Sequence, residues 1–195
     1  LTLIKCKGKL GCNLVQLKHN FDHNEMYGEN YGYRSGLNSS MVAHLSQKVR
    51  YIEEFISLES GDLIIDIGSN DATTLRMYKN EKLNLFGIDP TGRKFSRFYN
   101  NNNINLIPEY FSLKNYNKVL GDKKSKVITS FSMFYDLDDP IQFVRDIKSV
   151  LADDGIWVTE QSYLPSMLKT NSFDTICHEH LEYYSIADIK YIVDQ

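Results

Sequence analysis

The stretch Leu63-Ile64-Ile65-Asp66-Ile67-Gly68-Ser69-Asn70-Asp71-Ala72-Thr73-Thr74-Leu75 decides how the chain is read. A run of β-branched and other apolar residues ends at Gly68, and a segment of helical character follows from Thr73, so the stretch predicts strand, tight turn, helix. Gly68 lets the backbone turn sharply and approach a ligand. Asp66 falls at the carboxyl end of the strand, where open α/β sheets place their ligands. A dinucleotide at such a corner needs Gly-x-Gly-x-x-Gly, so that amides crowd its pyrophosphate at a helix N-terminus, but Asn70 and Thr73 fill the second and third glycine positions. S-adenosylmethionine carries no phosphate, so one glycine suffices for it. Asp71 at the helix start would also repel a pyrophosphate, whereas it suits a cationic sulfonium or amino group. The phosphate logic therefore favours S-adenosylmethionine over NAD.

Outward from this corner, Leu83 to Asp89 reads as a second strand ending in an acid. Asp89 lies 21 residues beyond Gly68 (89 − 68), a spacing that suits a carboxylate accepting from ribose hydroxyls, in either cofactor. Ile104–Ile107 and Lys126–Phe131 read as third and fourth strands, and Asp153-Asp154-Gly155 as a turn into a fifth over 156–160. Ile141, Val144, Ile147, Val150 and Leu151 mark an amphipathic helix before that turn. Strands alternating with helices predict a parallel α/β sheet with right-handed crossovers.

The bulk composition bounds the class. At 195 residues and 42% hydrophobic, the chain can bury one core. A net charge of −3 with interspersed signs argues against a nucleic-acid polymer as partner, and no apolar run is long enough to ask for a membrane. Three cysteines without a disulfide framework, and no secretory signal, fit a cytoplasmic location. The chain begins with Leu and stops at Gln195 within a helical run, which reads as a piece of a longer protein.

Three further stretches hold chemistry. Cys6 and Cys12 precede a strand-like run at 13–17; they read either as ordinary reduced thiols or as part of a truncated zinc site. Residues 27–40 form a glycine- and tyrosine-rich connector that enters an amphipathic helix, a candidate lid carrying Tyr31 and Tyr33. Residues 173–185 hold Cys177-His178-Glu179-His180-Leu181-Glu182-Tyr183-Tyr184; His178 and His180 could share a face as half of a metal site, serve in acid/base work, or simply be satisfied in a loop.

Tyr-Gly-Tyr-Arg-Ser-Gly-Leu-Asn at 31–38, Asp-Ile-Gly-Ser-Asn-Asp at 66–71, Gly-Ile-Asp-Pro at 87–90, Glu-Gln-Ser-Tyr at 160–163 and Asp-Thr-Ile-Cys-His-Glu-His-Leu-Glu-Tyr-Tyr-Ser at 174–185 resemble the S-adenosylmethionine-dependent sugar C-methyltransferases. The resemblance runs from about Cys12 to the end of the chain. It implies a class I methyltransferase Rossmann-like sheet, mostly parallel and truncated. On this reading 1–26 is the tail of an N-terminal zinc-ribbon-type segment, 27–60 a connector with its helix, and 61–195 the cofactor-binding domain, incomplete at its C-terminus. It also implies a nucleotide-activated keto-deoxysugar as substrate. His180 would be the base, Glu179 its partner, and Tyr33, assisted by Tyr31, a donor at the reacting carbonyl. Asp66, Gly68, Asp89 and Met133 or Phe134 would hold the cofactor. Ala72 departs from a family glycine, and Cys6-x5-Cys12 departs from the family's closely spaced pair. The competing expectations are an NAD-dependent sugar oxidoreductase and a non-catalytic cofactor-binding module.

Overall fold

A computed structural model describes residues 1–8, 11–27, 31–100 and 102–195. In chain order the regular elements are β1 (Leu3–Lys5), β2 (Val15–Leu17), α1 (His23–Met26), α2 (Ser39–Phe55), β3 (Leu63–Ile67), β4 (Asn84–Ile88), α3 (Ser96–Asn100), β5 (Asn105–Ile107), α4 (Leu113–Leu120), β6 (Ser125–Phe131), α5 (Pro140–Val150), β7 (Leu151–Glu160), α6 (Leu164–Thr170), β8 (Glu182–Tyr183) and α7 (Ile186–Val193). Five of the strands form one parallel sheet in the order β5-β4-β3-β6-β7. The strand order reverses beside β3, which pairs with β4 on one side and β6 on the other. That reversal opens a crevice at the carboxyl ends of β3 and β6, the place where such sheets bind ligands.

β3 is apolar apart from Asp66 because helices cover both its faces. Successive side chains alternate between them. Ile65 and Ile67 join Ile128 and pack with Tyr116, Phe143 and Ile147 of α4 and α5. Ile64 joins Val127 on the opposite face, against Val49 and Ile52 of α2 and Tyr99 of α3. α2 starts where the Asn38 side chain accepts from the Ser40 amide. α5 starts where Asp139 accepts from the Gln142 amide, with Pro140 in the first turn. The helical run at 186–193 is α7, opened by a reciprocal Ser185/Asp188 capping box.

Two expectations are corrected. No α-helix follows Gly68: only one 3-10 turn forms, at Leu75–Met77. Asn70 and Ala72 take left-handed φ values of 48° and 60°, which interrupt the helical ladder. The loop is fixed instead by side chains, since the Tyr99 hydroxyl donates to the Asn70 carbonyl at 2.8 Å and Asn70 and Asp71 accept from the Ser35 and Gly36 amides. The expected turn at 153–155 is absorbed into β7. Ser125 pairs with Leu151 and Val127 with Ile156, so the added residues bulge out of one continuous strand.

β7 forms the outer strand of the sheet, and Glu160 at its end binds Lys48 Nζ at 2.5 Å and His44 Nε2 at 2.6 Å on α2. A second, antiparallel sheet has the order β1-β2-β8. It ties the N-terminal hairpin to the segment after His180, with Val15 opposite Tyr183 and the Leu17 amide donating to the Leu181 carbonyl. Among the described residues no helix is long and apolar enough to cross a membrane.

Candidate active site

The cavity at the crevice is lined on one side by Gly68, Asp89, Met133, Phe111 and Phe143, and on the other by Tyr27, Tyr31, Tyr33 and Asp136. Gly68, Asp89 and Met133 follow the ends of β3, β4 and β6, Phe111 precedes α4 and Phe143 lies on α5, while the tyrosines come from the connector before α2. Gly68 has φ 71°, and an added Cβ would lie 3.1 Å from Met133 Cγ, so both conformation and space require glycine there. The Gly68 amide donates to the Ile88 carbonyl, which brings the tips of β3 and β4 together.

The Asp89 carboxylate accepts hydrogen bonds on both oxygens. One oxygen accepts from the Asn70 amide at 2.7 Å, and the other from the Thr91 amide and hydroxyl, both at 2.6 Å. Burial raises its pKa, while the bonds from Thr91, Asn70 and Gly92 oppose the shift. Both Asp89 oxygens thus accept from protein donors, and the side chain lines the cavity. Asp66 is fully buried between Gly87 and Thr129 and lines the cavity floor. Its burial pushes the pKa up to about 7, against hydrogen bonds from Thr129 (2.6 Å) and Thr74.

Of the other expected site residues, Met133 and Tyr33 line the cavity and Phe134 does not. Phe134 is 1% exposed and packs among Phe143, Trp157 and Tyr184; consecutive residues after β6 point apart, and this one turns into the core. Asp71 also differs from expectation. It turns away from the cavity and accepts from the Gly36 amide and the Thr73 hydroxyl, with Arg34 Nε at 3.4 Å and Arg76 at 3.9 Å, so it anchors the connector instead of facing a ligand.

His180 and Glu179 lie beside the cavity, outside its lining. The His180 ring stacks 4.2 Å from Tyr135, and its Nδ1 lies 2.6 Å from the Thr175 carbonyl. A carbonyl only accepts, so Nδ1 carries the hydrogen and Nε2 carries the lone pair. Burial lowers the His180 pKa below its ordinary value despite that bond and the nearby Glu179, so the ring is neutral at pH 7. The Glu179 charge reaches the cavity, raising the pKa of Tyr27, Tyr31 and Asp136 beyond what burial does. His178 turns elsewhere, edge-on to Phe21 with ring centroids 4.6 Å apart, so the two histidines do not form a shared metal face.

Cys6 and Cys12 are both exposed, and among the described residues no group of three or more His, Cys, Asp or Glu side chains could hold a metal ion. These residues do not make a zinc site, because a structural zinc needs four ligands.

Sequence reasoning missed Asp136 and Tyr27. Asp136 lies in the one 3-10 turn after β6, at Phe134–Asp136, and burial pushes its pKa up to about 8 against a hydrogen bond from Tyr27. Glu182 on β8 is 8% exposed and is likewise pushed up to about 8 by burial and by the charges of Asp136 and Asp138. The position of Asp136 at the end of a parallel strand was the available signal.

These raised carboxyls make stability depend on pH. Asp66, Asp136 and Glu182 hold protons in the folded chain at pH values where the unfolded chain, with ordinary acids near pH 4, has released them. The stability they add is complete below about pH 4 and is lost as pH rises through their folded values of about 7 to 8. The melting temperature is therefore expected to fall between pH 6 and pH 9. Glu182→Gln should flatten that slope and raise Tm at pH 9 by roughly 2–4 °C per kcal/mol recovered; a slope unchanged by the substitution would show that Glu182 ionises without cost.

A doubly wound sheet with its cavity at the strand reversal, a lone glycine at the first turn and an acid at the tip of the next strand defines the class I methyltransferase architecture. Residues 40–195 match the sequence profile of the family described as "Methyltransferase domain", and the chain belongs to that family. It is 27% identical over 179 residues to the C-methyltransferase NovU of Streptomyces niveus, covering 91% of this chain and 42% of NovU. The chain thus spans about two fifths of that curated relative's length. Among solved structures it is similar to the PH0226 protein of Pyrococcus horikoshii OT3, with a TM-score of 0.66, 10% identity and coverage of 83% of this chain and 84% of that one. It is similar also to coclaurine N-methyltransferase bound to N-methylheliamine and SAH, with a TM-score of 0.57, 14% identity and coverage of 84% and 50%.

Proposed function

We propose that the chain is the cofactor-binding and proton-abstracting part of an S-adenosylmethionine-dependent C-methyltransferase acting on a nucleotide-linked keto-deoxysugar. The observation that carries the cofactor choice is the loop after β3. Asn70 and Ala72 in left-handed conformations leave no α-helix behind Gly68, so the helix N-terminus that a dinucleotide pyrophosphate requires is missing there. A cofactor without phosphates loses nothing by this. The similarity to a C-methyltransferase supports carbon as the acceptor atom.

The residues fit the cofactor. Asp89 would accept from its ribose, the Gly68 backbone would lie along its methionyl part, and Met133 would pack on its adenine. When bound, S-adenosylmethionine supplies an electrophilic methyl group. The chain's own residues must then generate a carbon nucleophile, which a sugar provides when a proton next to a ketone is removed. His180 takes that proton at Nε2, the nitrogen left with a lone pair by the Nδ1 bond to Thr175. Glu179 favours the imidazolium that forms, since it raises the His180 pKa. Tyr33 donates to the ketone oxygen, and Tyr27 and Tyr31 cover the cavity and exclude water. Holding base, ketone and methyl donor together would supply proximity and orientation.

The test is incubation with methyl-labelled S-adenosylmethionine and a nucleoside-diphosphate keto-6-deoxyhexose. A product carrying the label on a sugar carbon supports the reading; label on oxygen or on no sugar at all contradicts it.

A further inference from the structure

The Asp136 side chain lines the cavity. The carboxyl lies beside the Tyr27 hydroxyl, and its Oδ1 is shielded from water and makes no hydrogen bond within the described residues. A buried carboxyl oxygen without a partner costs free energy and points to a ligand that completes it. The groups facing Asp136 are Tyr27 and Tyr31 of the connector, Tyr135 on its own turn, Glu179, and Glu182 and Tyr183 of β8. None of these is a cation. With two acids and four phenols around it and no lysine or arginine among these described residues, the site favours an uncharged carboxyl, which can donate as well as accept.

Building on the enolate chemistry proposed above, we propose that Asp136 is a further catalytic residue, its carboxyl O–H donating to the ketone oxygen of the substrate and holding the enolate as it forms. Tyr33, half exposed at 50%, offers its hydroxyl from the wet side of the cavity, whereas Asp136 offers a donor from the dry side. A donor shielded from water stabilises developing charge more than one in solvent. The electrons balance without any further reactant. The C–H pair becomes the C=C bond as the proton passes to His180 Nε2, and the carbonyl π pair moves onto the oxygen that accepts from Asp136. When the new C–CH3 bond forms, the C=C pair makes it and the oxygen pair returns to C=O. The sulfonium S–CH3 pair stays on sulfur, and the Asp136 proton never leaves its carboxyl.

Two variants and two readouts test this. Asp136→Ala is expected to lower kcat for methyl transfer to a nucleoside-diphosphate keto-6-deoxyhexose by about 10²–10³-fold, with S-adenosylhomocysteine affinity preserved as proof of folding. Asp136→Asn, whose carboxamide still donates, should lose far less. Wild type should lose activity as pH rises through about 8, where Asp136 ionises, and Asp136→Asn should lose that alkaline limb. An Asp136→Ala variant as active as wild type, or an Asp136→Asn variant as impaired as Asp136→Ala, overturns the role. A wild-type chain that binds S-adenosylhomocysteine but methylates no keto sugar overturns the sugar reading and this role with it, so the two failures are told apart by the wild type alone.

Discussion

Replacing His180 with alanine is expected to reduce kcat by about 10²–10⁴-fold, the contribution of a positioned general base, while leaving cofactor affinity intact. The separation follows from geometry. His180 lies on the segment before β8, against Tyr135 and the Thr175 carbonyl, and shares no hydrogen bond with Gly68, Asp89 or Met133. The wild-type acid limb is expected below the ordinary histidine value near 6.5, because burial lowers the His180 pKa and only the neutral ring accepts a proton. Activity should thus be lost as pH falls through that lowered value, and the residual activity of the alanine variant should lack this acid limb. Single-turnover kinetics with labelled cofactor would measure both. Near-normal turnover in His180→Ala would remove it as the base and transfer the task to Glu179 or to a buried acid.

Asp89→Ala should act on the other half of the site and on the fold at once. A hydrogen bond to a charged acceptor is worth about 1.5–3 kcal/mol, so loss of the ribose contact should weaken S-adenosylhomocysteine binding by roughly 10- to 150-fold. The same carboxylate caps the turn Pro90–Arg93 through the Thr91 amide and fastens the Asn70 amide across the crevice. Removing it leaves these donors without their acceptor, and a drop in melting temperature should accompany the weaker binding. Asp89→Asn keeps one carbonyl acceptor and should fall between wild type and alanine in both measurements. Calorimetry and thermal melts on the same samples separate the two effects; unchanged affinity in a folded Asp89→Ala chain would remove the ribose role.

The elements legible in the sequence were those whose pattern is local. The β-branched run into Gly68, the apolar strand ending at Asp89 and the Ile141 to Val150 periodicity each report their own burial, and each became the strand or helix expected. The helix after Thr73 did not form behind two left-handed residues, Asn70 and Ala72, and Asn70 is held by Tyr99 and the connector, which lie far away in the chain. Asp153-Asp154-Gly155 has turn chemistry, but pairing with β6 carries the strand through it as a bulge. The site divides in the same way. Gly68 and Asp89 announce themselves by position relative to strands, whereas Asp136 gains its character only when the tyrosine connector and β8 close around it. Met133 and Phe134 could not be told apart until the turn after β6 set one toward the cavity and the other into the core.

Titration of S-adenosylhomocysteine into the folded chain by calorimetry, with NAD as the matched control, tests the central claim most directly. The lone Gly68, the missing helix N-terminus behind it and the Asp89 carboxylate lining the crevice predict saturable binding of S-adenosylhomocysteine and none of NAD. Binding of NAD in its place would contradict the account and make the crevice a dinucleotide site.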